Sequence, residues 1–131
     1  MPSQESDRVA ALLARRLETG ADAAHIAEAI AAACRDIDSA LTPIIGSRGV
    51  AALFKRSLHL TGRGHSWVAA VRQPAGAELD IATLKSILSA QSSADAAVGG
   101  ALFLETFNKL LADLIGPSLT ERLLRSVWAS T

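Results

Sequence analysis

The stretch Thr61-Gly62-Arg63-Gly64-His65-Ser66-Trp67 holds the residue types in this chain that could do chemistry. Glycines let a backbone turn its amides outward, Arg63 can grip a phosphate or carboxylate with two hydrogen bonds, and a following helix would add a favourable dipole. Lys55, Arg56, His59 and Arg72 lie nearby in sequence, so Arg56, His59, Arg63, His65 and Arg72 form a candidate set for binding an anionic ligand or partner. The same residues also have a purely structural reading. Glycines terminate helices, basic side chains suit the C-terminal half of a helix, and Trp67 serves as a packing anchor.

Charge patterning singles out the same region. Between Ser39 and Ala77 there is no Asp or Glu, while Arg48, Lys55, Arg56, Arg63 and Arg72 give the segment a formal charge of +5 inside a chain of net charge zero. Residues 1–38 carry four basic and seven acidic side chains, and residues 78–131 carry four and six. Such a block is either an anion-binding surface or the cationic partner of its own acidic flanks, with Asp36, Asp38, Glu78 and Asp80 as the available carboxylates.

Other chemistries have no local support. His25, His59 and His65 form no H-x-x-x-H pair, and there is no phosphate-binding G-x-x-x-x-G-K loop and no G-x-S-x-G elbow. No catalytic residue, metal ligand or cofactor is assigned. Zero net charge, a sequence pI of about 6.8 and few base-reading side chains after Ser47 argue against nucleic acid. The start, MPSQESDRV, has no basic and apolar leader pattern, and no apolar run approaches a bilayer span, so a cytoplasmic location without membrane attachment is expected. The one cysteine, Cys34, sits among Ile30, Ala33 and Ile37 and reads as a packing residue rather than a reactive thiol.

The elements that must position these residues are helical. The chain has 26 Ala and 18 Leu against three Phe, two Trp and no Tyr, a composition that favours helix over strand. Its 131 residues suit a single domain, 1–131, with one real core. The expected fold is all-α: a compact bundle of five or six helices with one irregular, glycine-containing connection over about 61–79. A first helix carries Val9, Leu12, Leu13 and Leu17 and stops at Gly20. A second starts near Asp22 and buries Ile26, Ile30, Ile37 and Leu41. Pro43 either starts a new helix with Thr42 as its cap or kinks a continuation to Ile45.

Gly46-Ser47 then reads as a helix end and a new cap, followed by Val50, Leu53, Phe54 and Leu58 on one stripe. Ile115-Gly116-Pro117-Ser118 repeats that organisation, with Ser118 and Glu121 in a capping-box pattern, and an internal duplication is one explanation of the recurrence. A helix over about 80–91 precedes a long one from Ser92 or Ser93 to Ile115. The long helix is apolar almost all round, which calls for a central position or a second chain against it. Gly99-Gly100 inside it costs about 1 kcal/mol per glycine relative to Ala, to be offset by close approach of another element, or else marks a break between two helices.

Neither the Ile-Gly helix entries nor the Leu119-to-Arg125 ending is the signature of a named activity. The leading expectation is a small interaction or regulatory domain, such as a signalling adaptor, that pairs with another protein or with itself as a homodimer. Val98, Leu102, Phe103, Phe107 and Leu110 would form the interface. The alternative is a small-molecule module, or an enzyme, holding an anionic ligand with Arg63 and His65 and with Arg56 or His59. A concave pocket among those cationic groups favours the second reading, and a broad apolar patch on the long helix favours the first.

Overall fold

A computed structural model of the chain describes residues 22–65, 67, 68, 71 and 80–130. Among these the secondary structure is helical, in four helices rather than five or six: α1 (Ala23–Gly62), α2 (Ile81–Ser89), α3 (Ser93–Ile115) and α4 (Pro117–Ser130). The helix expected over Val9 to Leu17 and most of the irregular connection lie outside the described residues. The described count leaves out that first helix, and the helices expected before and after Gly46 form one element kinked at that glycine.

Each start obeys local capping chemistry. Asp22 accepts the His25 amide at 3.0 Å, Asp80 accepts the Thr83 amide at 3.1 Å, and Ser92 accepts the Asp95 amide at 3.1 Å. The His25 amide holds the Asp22 carboxyl below the ordinary carboxylate range, and the Thr83 hydroxyl, donating at 2.7 Å, together with the Thr83 amide does the same for Asp80.

The helix runs through Pro43 to Ile45 and kinks at Gly46, whose φ of 82° and ψ of 159° lie outside the helical region. Gly116 separates α3 from α4 with nearly the same angles, 92° and 151°. A side chain there would be strained, so glycine is what the two turns require. The capping box expected at Ser118 is not formed. Pro117 takes the first helical position, which suits its missing amide, so Gly116 caps α4 and Ser118 lies exposed in the first turn. Thr120 completes the turn by donating its hydroxyl, at 2.8 Å, to the Gly116 carbonyl oxygen.

The two glycine junctions belong to a larger recurrence. Shifted by seventy positions, cap Asp22 falls on cap Ser92, Ile45 on Ile115 and Gly46 on Gly116. Buried positions coincide as well: Ile26 with Ala96, Ile37 with Phe107, Leu41 with Leu111, Phe54 with Leu124. The runs meet at equivalent residues, for a Cβ added to Gly100 would come within 2.9 Å of the side chain of Ile30. Contact between equivalent positions is what two similar units produce when they cross about a two-fold axis.

Helix α3 is continuous through Gly99-Gly100 and central to the core. Phe103 and Phe107 are fully enclosed, and the Phe54 ring packs on both at centroid distances of 6.0 and 4.6 Å. Burial of an aromatic side chain of this size contributes roughly 1.5–3 kcal/mol. On the surface, Lys85 of α2 and Arg35 of α1 flank Glu28, and the Lys85 hydrogen bond draws the Glu28 carboxyl below its usual range. These partners are about half exposed, so their ion pairs add little stability.

Candidate functional site

The second arm of α1, residues 47–62, turns its apolar stripe of Val50, Phe54 and Leu58 into the core, and helical geometry then dictates its outer face. Arg48, Lys55, Arg56, His59 and Arg63 fall within one narrow stripe and are all exposed. Among the described residues, ion pairs engage His25, Arg35, Lys85 and Arg125, and none of the five stripe residues. Two of the carboxylates that could have neutralised the block are otherwise placed, since Asp38 accepts a hydrogen bond from Thr42 at 3.1 Å and Asp80 caps α2, and Asp36 is exposed without an ion pair to the stripe. Glu78 lies outside the described residues.

At the C-terminal end of this arm a cavity of about 360 Å³ opens, lined by Lys55, Leu58, His59, Gly62, Arg63, Val68 and Val71. Lys55, His59 and Arg63 are spaced four residues apart, so they follow one another along a helix edge at intervals of about 6 Å. Leu58, Val68 and Val71 are almost fully buried and provide apolar walls. Helix ends expose carbonyl oxygens that repel anions, but here the turn covers some of them. The amides of Gly64 and His65 both donate to the Thr61 carbonyl at 3.1 Å, and the Arg63 amide donates to that of Leu60.

The opposite wall is held by a glycine of another helix. After α1 the Val68 amide donates to the His65 carbonyl at 2.9 Å, and the Val71 amide donates to that of Val68 at 3.0 Å. Trp67 packs on α3 in a notch that only glycine leaves open: a Cβ added to Gly99 would lie 2.1 Å from the indole Cζ2. The close approach required by the glycine pair is therefore supplied twice, by Trp67 at Gly99 and by Ile30 at Gly100.

The candidate residues separate accordingly. His59 and Arg63 line the cavity and are joined there by Lys55, whose place was legible in the four-residue spacing. Arg56 shares their exposed stripe outside the lining. His65 is half-buried, with its ring edge to Trp67 at a centroid distance of 6.3 Å, and Arg72 lies outside the described residues. Of the proposed interface on α3, Phe103 and Phe107 are core residues, Leu110 is half-buried, and Val98 and Leu102 are exposed at 57 % and 37 %.

Two buried groups have no local sequence signal. The hydroxyls of Ser57 and Thr61, one turn apart on the arm that carries the cations, are enclosed without a hydrogen-bond partner. Cys34 is also enclosed, and burial pushes its thiol up to about 12. Among the described residues no group of three or more His, Cys, Asp or Glu side chains is placed to hold a metal ion. No helix among them is long and apolar enough to cross a membrane. No protein-family model, curated protein or solved structure matches this chain.

Proposed function

We propose that the protein is a small regulatory module that recognises an anion at the end of the second arm of α1, acting by binding rather than by catalysis, in the cytoplasm. The observation that carries this reading is the cavity edged by Lys55, His59 and Arg63, with no carboxylate of the described residues paired to any of them. Lys55 and Arg63 supply fixed positive charge, and the planar guanidinium of Arg63 matches the oxygens of a phosphate or carboxylate. Arg48 and Arg56, farther along the stripe, extend the positive field and speed the arrival of an anion.

Titration of inorganic phosphate into the protein at low ionic strength tests the reading. Binding is expected in the parent and not in Arg63→Glu, while the melting temperature of the variant stays that of the parent, because exposed charges of this kind are worth only about 0–1 kcal/mol. Undiminished phosphate binding by folded Arg63→Glu would refute the assignment.

Self-association through α3 is the second reading, favoured by the exposure of Val98 and Leu102 one turn apart on that helix. It commands less surface than the sequence promised, since Phe103 and Phe107 are used inside the fold. Light scattering tests it. A dimer that Val98→Glu splits supports this reading, and a parent that stays monomeric at high concentration removes it.

A further inference from the structure

We infer that the ligand of this cavity is a small amphipathic anion: one phosphate or carboxylate head group joined to a single ring or short hydrocarbon body. The inference rests on the anion-binding reading above and specifies its ligand. Its basis is the division of the cavity into two chemistries. Lys55, His59 and Arg63 occupy one helix edge, whereas Leu58, Val68 and Val71 form buried apolar walls beside it. A bare inorganic ion would meet the edge and make no use of the apolar walls. Small-molecule sites run from about 300 to 1,000 Å³, so a volume near 360 Å³ suits a compact organic molecule and is generous for a lone ion.

The lining also discriminates among organic anions. Among the described residues it contains no aromatic ring on which a nucleobase could stack, because Trp67 is committed to the Gly99 notch. Among the described residues it offers no Asn, Gln, Asp or Glu to read a base edge or a sugar hydroxyl. The cationic edge spans about 12 Å from Lys55 to Arg63, with His59 midway, so a head group at His59 is reached from both sides while the body lies against the valines. Any apolar body of fitting size gains from the walls, and any neutral one forgoes the edge.

A ligand series on the full chain, at about pH 8 where both phosphates carry close to two charges, tests this directly. Inorganic phosphate, phenyl phosphate, benzoate and neutral benzyl alcohol are titrated by calorimetry. Phenyl phosphate should bind on the order of tenfold more tightly than inorganic phosphate, because its ring is withdrawn from water, and benzyl alcohol should bind more weakly than phenyl phosphate. Benzoate compared with phenyl phosphate identifies the preferred head group. Val71→Thr, which keeps the shape and adds a hydroxyl, should reduce phenyl phosphate affinity several-fold and leave that of inorganic phosphate unchanged; the ligand series stands without it if this variant does not fold. Equal affinity for phenyl and inorganic phosphate overturns the amphipathic inference and leaves the anion reading intact. No binding of either phosphate or benzoate overturns both, and so does benzyl alcohol binding as tightly as phenyl phosphate.

Discussion

The helix–glycine–helix run beginning at Asp22 and the one beginning at Ser92 share caps, glycine turns and buried positions, and differ in what they show to water. Inside, the sizes of equivalent residues diverge. The first run has Ala33, Cys34 and Ile37 where the second has Phe103, Leu104 and Phe107, yet Ile30 of the first stands against Gly100 of the second. Each run is bulky in places where the other is slender, and a well-packed core requires only that the combined volume be right. Outside, the second arm of the first run carries Lys55 with no acid beside it. At the equivalent position Arg125 lies 3.8 Å from Glu121, and Ala51 stands where Glu121 would be. One backbone plan thus recurs, and among the described residues the cationic edge without ion pairs lies on the first copy.

Substitutions that erase or exchange the differences give effects of graded size. Phe107→Ala removes the ring on which Phe54 packs, and denaturant unfolding should show a loss of about 3–5 kcal/mol. Gly99→Ala writes the first run's Ala29 into the second. The gain of about 1 kcal/mol in helix propensity is outweighed by collision with a rigid indole, for a net cost of roughly 1–2 kcal/mol and a loosened cavity wall. Gly100→Ala meets the outer side-chain carbons of Ile30, at 2.9 and 3.0 Å, which can give more readily than an indole, so its melt should differ from the parent by less than about 1 kcal/mol. The contrast between these two adjacent glycines sharpens the account more than either value alone.

Cys34, equivalent to Leu104, gives a pH effect. Its folded thiol ionises near 12 and its ordinary value is 9.0, so from about pH 9 upward the unfolded chain holds fewer protons than the folded one and stability falls. The contribution is fully present below that range. Chemical denaturation near pH 10 should show a decline of about 1 kcal/mol that is missing in Cys34→Val. Smallest is Ser57→Val, which installs the equivalent Val127. Removing an unpartnered buried hydroxyl should be neutral or stabilising by up to about 1 kcal/mol, measured as a raised denaturation midpoint.

Much of this was legible in the residues themselves. Composition announced the helices and Gly46 and Gly116 announced their turns, while the four-residue spacing that sets Lys55 on one edge with His59 and Arg63 was the signal that went unused. The near-continuous apolar surface of α3 was also plain, but periodicity does not say whether neighbours or a second chain cover it. Phe103 and Phe107 proved to be covered from within. Ser118 was misread because a capping-box pattern and a proline in the first helical position compete, and the proline set the helix start. The partnership of Gly99 with Trp67 joins residues far apart in sequence, and no local pattern carries it.

Backbone NMR of the whole chain during titration with inorganic phosphate tests the central claim most directly, since it compares the two second arms in one sample. Shifts should concentrate on Lys55 to Arg63, with Val68 and Val71 following, and the amides around Arg125 should stay unmoved. Equal shifts on both arms, or shifts that avoid Lys55 to Arg63, would contradict the claim that the unpaired edge beside this cavity is the binding site.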